Sequence, residues 1–435
     1  MASSSSVLWK AILDGVNPKD DFSTKNLPYG VCKRQAETFL ATRLGSFVIK
    51  LEGLPLSEPL LKDEFSWNRL MQLSKARRVS FRESLKRALF DPSSSSMLFN
   101  HEDNASFFRE HVFPVWECVM LLPCQIGDYT DFYCSRDHAY NVGVMFRGKD
   151  NALQPNWVHL PVGYHGRSSS VVPSPCHVVH PKGQLDSGKS YSPSKRLDFE
   201  LEIGCLIGGH ENELGVPLTT DEARDRIFGY VLLNDWSARD VQTWEYVPLG
   251  PFCSKNFCTT ISPWIVPAEA LEPFKIPPSF GSKQDPEPLA HLRDSDYTLF
   301  DVDLYVSLKP FGQQEETVIC KSNFRNLYWT PAQMIAHHTS TGCNMRAGDL
   351  IGTGTISGSQ PGTYGSLLEL SWNGTKPIKI LSGGSGETTR TFLQDGDTVR
   401  MYGRVKQGGV GFGDCTGTIL PPSPPPHRHD QQARL

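Results

Sequence analysis

Residues 197–204 read L-D-F-E-L-E-I-G, an unbroken alternation of apolar and acidic side chains. A period of two is that of a β-strand, so Leu197, Phe199, Leu201 and Ile203 should share one face and Asp198, Glu200 and Glu202 the other. Neighbours on one face of a strand lie about 6 to 7 Å apart. Two carboxylates at that spacing repel by roughly 2 to 3 kcal/mol at an effective dielectric of about 20. Such a face either looks into solvent, as in an antiparallel sheet with one wet side, or is buried around a cation. The pattern by itself admits both.

What surrounds this stretch narrows the choice. With 435 residues the chain is long enough for two domains, and a first unit is expected over 1–118, a second over 119–420 and a disordered Pro-rich tail over 421–435. In the first unit, residues 45–51 read as a strand, and residues 58–89, apolar at three- and four-residue intervals, as one or two helices before the D-P-S-S-S-S break at Asp91. Residues 124–147 crowd acids, tyrosines, His138 and Arg147 into what reads as a non-helical site loop, and residues 161–168 as a second loop. Thr219 begins a short helix. An apolar strand over 229–233 then delivers Asp235 at its end, where a fourth carboxylate could join the other acids or simply cap the next turn. Residues 273–288 read as a surface loop and 299–308 as a strand.

Several common chemistries are excluded. G-T-G-T-I-S-G at 352–358 is neither G-x-G-x-x-G nor a P-loop and reads as a turn, and there is no G-x-S-x-G or H-E-x-x-H. His337 and His338, in the last turn of a helix that Thr330 can cap, fit a favourable dipole contact and are left out of the site. A net charge of -4 without a long basic run gives no footing for nucleic acid. Eleven cysteines with no C-x-x-C point to reduced thiols and a cytoplasmic compartment. No run approaches the roughly 20 apolar residues of a membrane span, and M-A-S-S-S-S-V-L-W-K lacks the pattern of a secretory signal.

The stretches D-Y-T-D-F-Y-C-S-R-D-H-A-Y-N-V-G, L-P-V-G-Y-H-G-R, L-D-F-E-L-E, N-D-W-S-A-R-D-V-Q-T-W-E-Y-V-P-L-G-P-F and G-T-I-S-G occur here in that order. Together they resemble the fumarylacetoacetate hydrolase family over nearly the whole chain. The resemblance implies a mainly β fold with some α, in which an N-terminal SH3-like barrel precedes a C-terminal rolled β-barrel domain of the family's own type, assembled as a homodimer. It implies hydrolysis of the carbon–carbon bond of 4-fumarylacetoacetate to fumarate and acetoacetate, the last step of tyrosine catabolism. Nearby alternatives are a related oxo-acid decarboxylase, hydratase or isomerase, or a non-enzymatic acidic β scaffold.

Residue by residue, the resemblance puts metal ligands at Asp131, Glu200, Glu202 and Asp235, with Lys255 and Thr259 in the wider cation surroundings. Oxygen-only ligation suits Mg²⁺ or Ca²⁺. It makes His138 a general base and Glu369 its orienting partner, with Arg239, Gln242 and Lys255 as donors to developing negative charge. Tyr133, Arg147, Tyr164, Gln242, Tyr246 and Thr355 match substrate contacts. Asp198 matches no ligand, so the acidic face holds one carboxylate more than the implied metal site uses.

Overall fold

The structure, a computed structural model, describes residues 4–59, 64–94, 96, 98, 104–381 and 388–423. The expected tail therefore lies, beyond residue 423, outside the described residues. The described chain is mainly β with some helix, and three sheets carry most of it.

The first sheet is antiparallel throughout. Its strands are β1 (Gly30–Arg34), β2 (Glu37–Leu44), β3 (Phe47–Lys50), β4 (Val112–Pro114) and β5 (Val119–Leu121), in the order β4-β3-β2-β1-β5. β5 carries the sheet three residues past Cys118. Helix α1 (Lys75–Phe90) packs beneath it through Phe81, Leu85 and Leu89, the buried stripe that the three- and four-residue spacing predicts.

The second sheet positions the site. It contains β6 (Tyr129–Phe132), β7 (Gly163–His165), β8 (Val171–Pro173), then, after β9 (Cys176–Val179) of the third sheet, β10 (Leu201–Ile207), β11 (Ile227–Asp235) and β12 (Thr259–Ile261). The third sheet also has β13 (Val302–Lys309) and β14 (Thr317–Asn323). β15 (Leu350–Gly352) returns to the second sheet, and β16 (Thr398–Val405) and β17 (Gly411–Leu420) complete the third. The second sheet runs β7-β6-β15-β10-β11-β12-β8, with β6·β15 and β12·β8 parallel, and the third runs β14-β13-β16-β17-β9.

The middle sheet is covered on both sides. Leu201, Ile203 and Leu232 pack with Leu304, Val306, Val399 and Met401 of the third sheet. Leu206, Val231, Leu233 and Leu350 pack with Trp67 and Phe81 of the N-terminal unit. One arginine of α1 reinforces that second contact: Arg78 donates to the carbonyls of Asp225 (2.5 Å) and Ile227 (3.1 Å) at the start of β11. Arg82 instead ties α1 to its own unit, donating to the carbonyls of Lys25 and Asn26, both at 2.7 Å. A sheet without a wet face explains why every residue of β10 and β11 is buried. It also removes the solvent-facing reading of the acidic alternation: Asp198, Glu200 and Glu202 are at most 4% exposed.

Two local expectations are corrected. The stretch 124–147 is not a non-helical loop: β6 is followed by helix α2 (Arg136–Arg147), whose first turn is capped by Ser135 and whose end is marked by Gly148 at φ +81°. Ser135 before an apolar set at 139, 142, 143 and 146 was the available signal. The stretch 161–168 contributes strand β7, which pairs with β6 through Asp131 and Tyr164.

Candidate active site

The acidic alternation does not run as one strand. Leu197–Asp198 forms a two-residue strand and β10 begins at Leu201, because side chains intervene in the ladder. The Phe199 amide donates to Asp198 Oδ1 (2.8 Å) and the Glu200 amide to Asn234 Oδ1 (3.1 Å). Leu197, Phe199, Leu201 and Ile203 nonetheless share one apolar cluster, as the period predicts.

Sheet order then gathers the acids. β15 lies between β6 and β10, so Gly352 sits level with Asp131 on one side and Gly204 on the other. Asp235 ends β11 directly opposite Thr259, which replaces the reading of Asp235 as a turn cap. One oxygen from each of Asp131, Glu200, Glu202 and Asp235 lies within 4.8 Å of the others, and all four residues are buried.

The surroundings suit a cation. A Cβ on Gly352 would stand 2.5 Å from Asp131 Oδ1 and 3.0 Å from Glu202 Oε2, so glycine keeps the space between them open. Gly354, at φ +75°, turns its amide to donate to both Asp131 Oδ1 (3.2 Å) and Glu202 Oε2 (3.0 Å). The run expected to be a simple turn is therefore the end of a strand and one wall of the cage. Glu202 Oε1 and the Tyr129 hydroxyl are buried with no hydrogen-bond partner among the described residues. Unpaired oxygens in a four-carboxylate set fit a hard cation.

Charge is partly balanced within the chain. The Lys255 ammonium reaches both Glu200 and Asp235, the latter at 2.5 Å, and Arg239 Nη2 is 2.8 Å from Glu200 Oε1. Burial pushes the Glu200 carboxyl up, but the Arg239 and Lys255 charges outweigh it and hold it below the usual carboxylate range. Asp131 and Glu202 lack a cation of their own. Burial, then the neighbouring acids, push Asp131 up to about 8 and Glu202 well above its ordinary value.

These shifts fix the sign of a pH effect. Between about pH 4, where an unfolded aspartate ionises, and about 8, the ion-free folded site keeps protons that the unfolded chain gives up, so these two groups stabilise the fold less as pH rises through that window. A divalent cation must displace the same protons. Its affinity is expected to increase up to about pH 8 with release of about one to two protons per ion, measurable by titration calorimetry in buffers of different ionisation enthalpy. An affinity independent of pH from 5.5 to 8 would remove Asp131 and Glu202 from the ligand set.

His138 lies in the first turn of α2, buried, with Nδ1 at 2.6 Å from Glu369 Oε2. Glu369 stands on a four-residue helix, α4 (Leu367–Leu370), that follows the short α3 (Arg239–Glu245) in the site. Asn141 donates to Glu369 Oε1, and Ser357 and Ser366 to Oε2, each at 2.9 Å. Burial opposes the Glu369 charge, yet His138 and these donors hold its carboxyl below the ordinary range. Sequence reading missed all three donors, since nothing in their spacing links residues 141, 357 and 366.

A cavity of about 510 Å³ joins the two groups. Asp131, Glu200, Glu202, Arg239, Gln242, Lys255 and His138 line it, as do Tyr133, Arg147, Tyr164, Tyr246 and Thr355. Within it, Tyr133 packs edge-on against the His138 ring and Thr355 Oγ1 is buried with no hydrogen-bond partner among the described residues. Gln242 accepts from Arg239 through its carbonyl oxygen at 3.3 Å, which leaves its NH₂ as a donor. Two residues are already engaged: Tyr164 donates to Asp235 Oδ2 (2.9 Å), and Arg147 donates to the carbonyls of Asn151 and Ala152. Thr259 lies on a neighbouring cavity that shares Tyr164 and Lys255 with the first. His338 is hydrogen-bonded to Thr130 (2.9 Å) and does not line the cavity.

Comparison with known proteins agrees with this geometry. A family-wide sequence pattern described as fumarylacetoacetate (FAA) hydrolase C-terminal matches residues 128–420, and one described as fumarylacetoacetase N-terminal matches residues 25–123. The chain is 47% identical to the fumarylacetoacetase of Dictyostelium discoideum over 424 residues, 93% of this chain and 97% of that one. It is 46% identical to the fumarylacetoacetase of Homo sapiens over 418 residues, 92% and 96% of the two chains. A solved fumarylacetoacetate hydrolase from psychrophilic Exiguobacterium antarcticum has the same fold, with a TM-score of 0.51 at 14% identity over 91% of this chain and 99% of that one.

Proposed function

The chain belongs to the fumarylacetoacetate hydrolase family, and from that premise we propose that it is a fumarylacetoacetase, splitting 4-fumarylacetoacetate into fumarate and acetoacetate at the end of tyrosine breakdown. One observation carries the reading: Asp131, Glu200 and Glu202 of the buried carboxylate cage and His138, the partner of Glu369, line the same cavity. A solvated acidic scaffold has neither feature.

Asp131, Glu200, Glu202 and Asp235 would hold the cation, Mg²⁺ or Ca²⁺ by the all-oxygen donor set. When bound, such an ion supplies Lewis-acid polarisation of a β-diketone's two oxygens. The chain's own residues do the rest. Glu369 fixes the His138 ring with its proton on Nδ1, so that Nε2 accepts a proton from water as the water oxygen bonds to the carbonyl carbon. The adjacent carbon–carbon bond then breaks, and its electron pair leaves as the acetoacetate enolate. Arg239, Gln242 and Lys255 donate to the negative charge that develops. The imidazolium returns its proton to the enolate carbon, so atoms and charge balance with no covalent enzyme intermediate.

Tyr133, Arg147, Tyr164, Tyr246 and Thr355 shape the pocket around the substrate, with Thr259 and Lys255 in the outer surroundings of the cation. Arg147→Ala is expected to raise KM several-fold with kcat nearly unchanged, the mark of binding that is equal in ground and transition states. A loss confined to kcat would place Arg147 among the catalytic groups.

The reading extends to the whole molecule: an SH3-like N-terminal barrel over 1–118 and a rolled-barrel catalytic domain over 119–420, acting as a cytoplasmic homodimer. The antiparallel five-stranded sheet, whose last strand runs on to Leu121, and the eleven free cysteines support it. Exposed Val247, Leu249 and Phe252 beside the cavity offer an apolar surface for a partner copy. The test is an assay with fumarylacetoacetate and Mg²⁺ or Ca²⁺, read by loss of diketone absorbance and appearance of fumarate. Absence of turnover with both ions would overturn the proposal.

A further inference from the structure

Asp198 is the one member of the acidic stretch that the mechanism leaves unused. It is fully buried, and both of its oxygens are spoken for. Oδ1 accepts from the amides of Phe199 (2.8 Å) and Leu367 (2.7 Å), while Oδ2 accepts from the Leu368 amide (3.0 Å) and Arg239 Nε (2.8 Å). Four donors fill its two acceptor atoms; burial pushes the carboxyl up, and the Arg239 charge and the hydrogen bonds pull against that.

Its partners are the two halves of the machinery. Leu367 and Leu368 open α4, the short helix that carries Glu369. Arg239 Nη2 lies 2.8 Å from Glu200 Oε1, and its Nη1 donates to Gln242. A guanidinium is a rigid planar fork, so anchoring Nε fixes where the two Nη groups aim.

We propose that Asp198 is a positioning residue: its carboxylate braces the Arg239 fork and the Glu369-bearing helix against each other, so that the donor to developing charge and the partner of the base are set from one point. Without the brace, Arg239 has Glu200 as its remaining carboxylate partner and swings onto that cage residue, away from the reacting carbonyl. This rests on the reading of Arg239 as a donor to the substrate.

Asp198→Asn nearly preserves size but turns an NH₂ toward Arg239 Nε or the α4 amides, donor against donor. It is expected to lower kcat about 10²-fold, the range for loss of one preorganised donor, with KM changed by less than about 3-fold. In the Arg239→Gln background the same change should cost less than about 10-fold, because residues acting through one another are not additive. Equal factors in both backgrounds, or near-normal kcat in Asp198→Asn, would overturn the brace.

A second readout needs no substrate. Mg²⁺ affinity measured by titration calorimetry should fall several-fold in Asp198→Asn and be restored in Asp198→Asn with Arg239→Gln, since the competing guanidinium is then gone. An affinity equal in wild type and Asp198→Asn counts against the brace even for a wild type that does not hydrolyse fumarylacetoacetate, an outcome that sinks only the functional reading. Should Asp198→Asn fail to fold, Arg239→Lys decides. A single ammonium does not span Asp198 and Glu200, so kcat should drop to within about 3-fold of Arg239→Gln, and retention of more than half the wild-type kcat would reject the proposal.

Discussion

Replacement of His138 by asparagine is expected to lower kcat by roughly 10² to 10⁴, the range for loss of a general base, while leaving the fold and the divalent-cation affinity as they are. The separation follows from the geometry. The ring is tied to Glu369 on α4 and to Tyr133, and none of the hydrogen bonds that hold the carboxylate cage runs through it. Asparagine can still donate to Glu369, so the four-donor arrangement about that carboxylate survives. What disappears is the second ring nitrogen. Glu369→Gln should show the same defect in milder form, since it keeps the ring in place but withdraws the charge that stabilises the imidazolium. Near-normal turnover in His138→Asn would mean that the attacking water loses its proton elsewhere.

Loss of activity in Glu200→Gln or Asp235→Asn should be as large, for a different reason. Each removes one of four charges that face the same small volume, and each takes away one of the two acids that share Lys255. Outer-sphere substitutions in metal sites commonly cost 10- to 100-fold in affinity, and loss of a ligand should cost on the order of 10² or more. Excess Mg²⁺ is expected to recover part of the rate in either variant, which it does not do for His138→Asn. A variant that binds Mg²⁺ with wild-type affinity yet stays inactive would show that the residue is not a ligand.

The residues of this site differ in how visible they are in the chain. Glu200 and Glu202 announce themselves because alternation is a local property, and Asp235 because an apolar run stops there. Burial of the acidic face was not legible. It depends on the N-terminal unit and the third sheet covering the middle sheet from opposite sides, and no window of ten residues contains that information. The helix bearing His138 was hidden by composition: polar residues fill its first turn, although Ser135 marked its start. Asn141, Ser357 and Ser366 meet at Glu369 only after β15 has been placed between β6 and β10. The spare carboxylate of Asp198 was, by contrast, a discrepancy in the sequence that the structure turns into a contact.

The parallel pairing of β6 with β15 has a consequence in time. Asp131 and the Gly354 amide that holds it are 223 residues apart, and His138 and Glu369 are 231 apart. A ribosome therefore releases Asp131, Glu200, Glu202 and Asp235 well before the strand that knits them together, and pairings of such separation form slowly. Until β15 inserts, β6 and β10 are neighbouring edges with a gap between them, each able to accept a strand from another chain.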